Sequence, residues 1–287
     1  MKSLLIPGLY FLLFIAGCST GPVDRDKETI TVSIEPFKFF TSEIAGDTYS
    51  VNVIVPPGAS PATYEPPPAV IKDINNSTLM IINGYLGFEK AWIDRMIRLN
   101  DEIKVLKLAE SQALIVPGSH RHSGMKDYSG VDPHFWMSPR RARIIARDIK
   151  SFLVENDPDR KQLYDSNYER LDSIIKETDS YVKSLLRDSD NKSFMIFHPS
   201  LTYFARDYGL EQIPVEAEGK EPSPSELKKL IDKAREKDLE IIFVQREFDT
   251  DNARLIGKEI GARTVVIDPL SDNWVQTVKE IAENIAR

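Results

Sequence analysis

The sequence predicts an α/β protein built as two α/β lobes with parallel-type sheets joined by one long linking α-helix. Three observations carry this. Short apolar runs rich in β-branched residues alternate with helix-patterned runs in the first half, and alternation of that kind favours a parallel sheet with helices on its faces. The same grammar returns in the C-terminal part. Between the two lies a stretch without Gly or Pro whose apolar residues fall at three- and four-residue spacings.

Taken in order, Ile30, Val32 and Ile34 alternate as a strand, Phe37 to Ala45 reads as a helix, and Tyr49 to Val55 alternates again until Pro56-Pro57-Gly58 breaks it. A helix around Ala69 to Asn75 and the buried-type strand Leu79 to Ile82 follow. In the C-terminal part, strands are expected at Phe194–Phe197, Glu240–Val244 and Thr264–Ile267, with helices at Ser225–Lys237, Asp251–Ile260 and Val275–Ala286. The middle stretch, Asp159 to about Leu186, places Leu163, Tyr164, Leu171, Ile174, Ile175, Thr178, Tyr181, Val182 and Leu185 on one helical stripe, and Asp157-Pro158 supplies a start. At 1.5 Å per residue such a helix is roughly 40 Å long, enough to act as a strut between lobes. The expected organisation is therefore 1–17 signal peptide, 18–28 tether, 29–157 N-terminal lobe, 158–188 linking helix and 189–287 C-terminal lobe.

The ends and the charge narrow the function. Lys2 precedes an uncharged apolar run from Leu4 to Ala16, shorter than the roughly 20 residues a spanning helix needs and patterned as a secretory signal. It ends in Ile15-Ala16-Gly17-Cys18, small residues before a cysteine, so Cys18 is the expected lipidation site and mature N-terminus of an exported, membrane-anchored lipoprotein facing the periplasm or cell surface. Cys18 is the single cysteine, which excludes an internal disulfide and a thiolate-rich metal site. Ser19 to Glu28 is polar and suits a tether. Without residues 1–17 the chain keeps 36 basic against 44 acidic residues, a formal charge of −8, which argues against a nucleic-acid partner.

Four histidines are present: His120, His122, His134 and His198. His134 lies in Asp132-Pro133-His134-Phe135-Trp136-Met137-Ser138-Pro139, between a proline and two aromatics that stiffen it as a metal ligand requires. His198 follows the strand Phe194–Phe197, and Asp268 follows the strand Thr264–Ile267. Side chains at the carboxyl ends of parallel strands face the crevice where α/β folds bind ligands. Taken alone, a histidine in such a place is more often structural. Together, two imidazoles and a carboxylate form a nitrogen–oxygen set that suits zinc and accepts manganese or iron. The same trio could serve a hydrolytic metal, but the chain has no His-Glu-x-x-His pair, no Gly-x-Ser-x-Gly elbow and no phosphate-cradling Gly-rich loop, so a binding protein is expected and not an enzyme.

These residues resemble a known family, the metal-specific solute-binding lipoproteins of zinc and manganese ABC importers, the cluster that includes ZnuA-like and TroA-like proteins. The resemblance rests on Val55-Pro56-Pro57-Gly58-Ala59-Ser60-Pro61, the Asp132–Pro139 segment, Phe197-His198 with Tyr203-Phe204 and Tyr208-Gly209, and Asp268-Pro269-Leu270. It implies two lobes of the periplasmic metal-binding type, with the ion in the cleft between them, and a monomer serving an ABC permease in the membrane. It also implies that His134, His198 and Asp268 are metal ligands, with His198 pointing to zinc. One departure stands out: Ala62 occupies the place of the family's first ligand histidine. Glu65, His120, His122 and Glu247 are the candidate replacements, with the Gly- and Ser-rich segment Val116–Gly130 able to bring His120 or His122 over the cleft. If none replaces it, the alternative is a surface interaction protein on the same fold with a degenerate metal site.

Overall fold

The computed structural model describes residues 27–116, 130–216, 222–248 and 250–287. The first sheet contains β1 (Thr29–Val32), β2 (Ser50–Val53), β3 (Leu79–Ile82) and β4 (Lys104–Lys107), ordered β2-β1-β3-β4 and parallel throughout. Parallel neighbours need crossovers, and these contain α1 (Glu35–Ala45), α2 (Pro68–Asn75) and α3 (Gly87–Ile97). Two helices then run antiparallel-fashion down the middle of the chain, α4 (Pro139–Asn156) and α5 (Lys161–Arg187). The second sheet contains β5 (Ser193–Ile196), β6 (Glu211–Pro214), β7 (Ile241–Gln245) and β8 (Arg263–Ile267), ordered β6-β5-β7-β8 and again parallel. Its helices are α6 (Thr202–Tyr208), α7 (Pro224–Glu236), α8 (Thr250–Ile260) and α9 (Trp274–Ala286).

The two sheets thus share one strand order without sharing sequence. In each, the order reverses between the first and third strands, so each has its crevice at the carboxyl end of that pair. The helix starts follow local chemistry. Proline stands in the first turn of α1, α2, α4 and α7, where its missing N–H costs nothing, and Ser223 with Glu226 forms a capping box on α7.

The sheets are buried on both faces, which is why their central strands are continuous apolar runs. Phe194 and Ile196 of β5 join a core that extends through α1, α4, α5 and α9, whereas Met195 and Phe197 pack on the opposite face with Ile213, Val244 and Ile256. Helix α5 packs on α1 and α4 at one end and on α9 at the other. Its buried stripe is Tyr164, Leu171, Ile175, Thr178, Val182 and Leu186. Four members of the expected stripe lie outside it: Ile174 and Leu185 are half-buried, and Leu163 and Tyr181 are exposed, at 42% and 41%, because the helix buries a narrower face than its apolar residues span. The Tyr181 hydroxyl donates to Glu283 at 2.7 Å, which gives that ring a surface partner on α9. Among the described residues no helix is long and apolar enough to cross a membrane.

Candidate metal site

His134 immediately precedes the 3₁₀ turn Phe135–Met137, and its loop is held from three sides. From β3, the Asn83 side-chain amide donates to the Pro133 carbonyl at 2.9 Å. From α6, the Tyr203 hydroxyl donates to the Asp132 carbonyl at 2.8 Å while accepting from the Ile115 N–H at 2.9 Å. From α9 and the loop before it, two tryptophans clasp the turn: Trp136 Nε1–H donates to the Pro269 carbonyl at 2.9 Å, and Trp274 Nε1–H to the Trp136 carbonyl at 2.7 Å. Both indoles are 1% exposed, so opening this clasp would strand buried donors. The loop that carries His134 is therefore tied to the loop that carries Asp268.

The Asp132 carboxylate orients the His134 ring. Its Oδ1 lies 2.8 Å from both the His134 backbone N and ring Nδ1. Burial pushes the Asp132 carboxyl up, but the electrostatic pull of the neighbouring His134 ring and hydrogen bonds from His134 and Thr202 outweigh it and hold the group below the ordinary aspartate value.

His198 is fixed in a matching way at the end of β5. Gln245, at the end of the adjacent β7, clamps its backbone: the amide oxygen accepts from His198 N–H at 3.2 Å, and the amide nitrogen donates to the His198 carbonyl and to Ser200 Oγ, the latter at 2.8 Å. The ring stacks on Phe248, with centroids 5.3 Å apart and planes inclined by 20°. Its Nδ1 is bonded to the carboxylate of Glu216, which is 4% exposed.

With each Nδ1 against a carboxylate, each ring carries its proton there and turns a bare Nε2 outward. These two atoms meet, His134 Nε2 and His198 Nε2 being 3.3 Å apart. Two lone pairs at that distance repel unless a proton or a cation lies between them. Two nitrogens each about 2.0–2.1 Å from a tetrahedral zinc would be separated by about 3.3–3.4 Å. The pair already has the spacing of a zinc chelate.

The other expected ligands are placed differently. Asp268 sits at the carboxyl end of β8 as expected, but its Oδ1 accepts from Leu270 N–H at 3.1 Å and its Oδ2 from Arg246 Nη1 at 3.3 Å. Among the described residues no three His, Cys, Asp or Glu side chains stand together as a metal-binding group. Glu65 is exposed, as is Ala62. The Ala62 loop is docked on the start of α3, where Phe88 N–H donates to the Pro61 carbonyl at 3.0 Å; a Cβ on Gly87 would lie 2.2 Å from the Ala62 carbonyl oxygen, so only glycine permits this approach. Glu247 is half-buried, and that burial lifts its carboxyl, with the charges of Asp268 and Glu216 adding to the rise and His198 opposing it. His120, His122 and Cys18 lie outside the described residues. The sequence reading missed Glu216, whose one signal is its position just past the edge strand β6, and it gave Asp132 no role of its own.

Residues 30–287 match the family model described as zinc-uptake complex component A, periplasmic (ZnuA). The chain belongs to this family. It is 28% identical over 267 residues to the zinc-binding lipoprotein AdcA of Streptococcus pneumoniae, an alignment covering 90% of this chain and 53% of AdcA. The chain thus spans about half the length of that relative. It is 26% identical over 273 residues to the high-affinity zinc uptake system protein ZnuA of Bacillus subtilis, covering 90% of this chain and 85% of that one. A crystal structure of ZnuA superposes with a TM-score of 0.84 at 35% identity, covering 91% of this chain and 98% of that one, and a ZnuA deletion mutant with zinc bound gives the same TM-score. Two lobes of four parallel strands joined by α5 are the architecture the ZnuA family shares with this chain.

Proposed function

We propose that this chain is an exported solute-binding protein that captures a divalent transition metal, zinc foremost, and hands it to an ABC-type importer in the membrane. The observation that carries the reading is the His134–His198 pair, whose Nε2 atoms stand 3.3 Å apart with both Nδ1 atoms secured by Asp132 and Glu216. Carboxylates behind the imidazoles fix the tautomer and hold the rings in register, so the chelate is organised before the ion arrives. His134 and His198 supply two nitrogens, and Asp268, at the carboxyl end of the same sheet as His198, supplies the third ligand by turning toward them. With Ala62 unable to coordinate, the fourth position falls to water, or to His120 or His122 from the segment after Val116 ahead of Glu65. A nitrogen–oxygen set of this kind prefers zinc and tolerates manganese or iron.

The Trp136–Trp274 clasp ties the loops of His134 and Asp268 across the cleft, which favours entry of the ion by movement of side chains and surface loops over wide separation of the lobes. Cys18 carries the lipid anchor that keeps the protein beside its permease, and the chain works as a monomer. Membership of a solute-binding transport family supports capture over both catalysis and the surface-interaction alternative. Calorimetric titration of the chelator-stripped chain lacking residues 1–18, with zinc and then manganese, tests this. One tight zinc site is expected; heat from neither ion would refute it.

A further inference from the structure

Strands β7 and β8 are paired to their last residues, Gln245 opposite Ile267, so the residues that follow them emerge side by side at the carboxyl edge of the sheet. Those residues are Arg246 and Asp268. The Arg246 backbone N–H donates to the Ile267 carbonyl at 3.0 Å, which fixes the arginine stem beside the aspartate, and the guanidinium Nη1 donates to Asp268 Oδ2 at 3.3 Å. Leu270 N–H occupies Oδ1 at 3.1 Å. Both carboxylate oxygens therefore have partners, one from the residue that follows β7 and one from the turn that follows β8. Arg246 is one of the lining residues of a cavity of about 320 Å³ that it shares with Asp268, Ser271, Asn273 and Gln276, and its side chain is 68% exposed.

We infer that Arg246 is a tethered competitor for the cargo ion at Asp268. The guanidinium is a permanent cation on a flexible stem, and it bids for the same oxygens that a divalent ion held by His134 and His198 would recruit as its third ligand. Every capture event must then exchange Arg246 for the metal, and every release is assisted by its return. The arginine has room to leave, because it stands open to solvent beside the cavity. This lowers affinity at one ligand without disturbing the two histidines, a useful property in a protein that must surrender its ion as well as seize it. The inference rests on the capture reading, with Asp268 as a ligand.

An exposed ion pair of this sort, together with relief of repulsion between the guanidinium and a dication, makes the expected effect of Arg246→Gln a tightening of zinc binding by about two- to tenfold. The experiment is competition titration with a chromogenic zinc chelator on the chain lacking residues 1–18, comparing wild type, Arg246→Gln, Asp268→Asn, the double variant and the control Arg254→Gln, which removes an exposed partner of Asp251. Tightening by Arg246→Gln that disappears on the Asp268→Asn background supports the competitor role. An unchanged or weaker affinity in Arg246→Gln overturns it, and so does equal tightening on both backgrounds, which would reveal a general charge effect. A wild type that binds no zinc overturns the capture reading itself, an outcome separate from a wild type that binds while Arg246→Gln does not differ.

Discussion

Replacing Glu216 with glutamine keeps the size of the side chain behind His198 and removes its charge. Glu216 is 4% exposed and bonded to His198 Nδ1, so the amide stays in place and can still accept the ring N–H through its oxygen. What changes is the strength of that bond. A hydrogen bond to a charged acceptor contributes about 1.5–3 kcal/mol against about 0.5–1.5 for a neutral one. The difference, about 1–1.5 kcal/mol, corresponds to about a tenfold weaker zinc complex, within the 10–100-fold range typical of changes behind a ligating histidine. Competition titration against a zinc chelator reads the affinity, and circular dichroism with a thermal melt reads the fold. The expected result is a Kd raised about tenfold with an unchanged spectrum. A Kd within about twofold of wild type would refute the claim that Glu216 tunes His198, and so would a normal affinity accompanied by His198 bonded elsewhere.

Three further outcomes follow from the same geometry. His134→Ala or His198→Ala removes half of the 3.3 Å nitrogen pair, and each should abolish tight zinc binding in calorimetry while the thermal midpoint of the stripped protein moves little, since both rings are only partly buried. Ala62→His should tighten zinc in the same assay, because the side chain at 62 is exposed and its loop is pinned at Pro61 and Gly87; no change would mean that another ligand already completes the site. The third concerns pH. Asp172 on α5 is pushed up by burial, but Arg143 of α4, at 2.6 Å, and Lys176 outweigh this and hold it below the ordinary aspartate value. Its folded value being depressed, its contribution is fully present above the unfolded value of about 3.9 and fades as pH falls through the folded one. Asp172→Asn should therefore lower Tm near neutrality and narrow the gap to wild type as pH drops from about 5 toward 3, as differential scanning calorimetry would show.

Much of the fold is written in local pattern. The buried strand Leu79–Ile82 has the bounds its apolar run suggests, and the six elements expected from Phe194 onward lie within one residue of their observed ends. The short helix α6 and the edge strands β4 and β6 are not legible in this way. Edge strands bury fewer of their side chains, and Lys104-Val105-Leu106-Lys107 or Glu211-Gln212-Ile213-Pro214 offers little periodicity to read. At the site, position past a strand end picks out His198 and Asp268, and the Pro-His-Phe-Trp sequence picks out His134. The parts that depend on long-range approach stay hidden. Nothing in the local sequence says that Trp136 reaches Pro269, that Glu216 backs His198, or that Asp268 lies on Arg246, because each pairing is created by the register of parallel strands and the packing of α5 and α9.

The central claim is that two imidazoles present bare Nε2 atoms to one ion. Long-range proton–nitrogen NMR of the histidine rings, with His134 and His198 assigned by single substitution, tests it most directly. The expected spectrum shows both rings as Nδ1–H tautomers, with both Nε2 resonances shifting together to metal-bound positions at one equivalent of zinc. Rings protonated at Nε2, or Nε2 signals that do not respond to zinc, would contradict it.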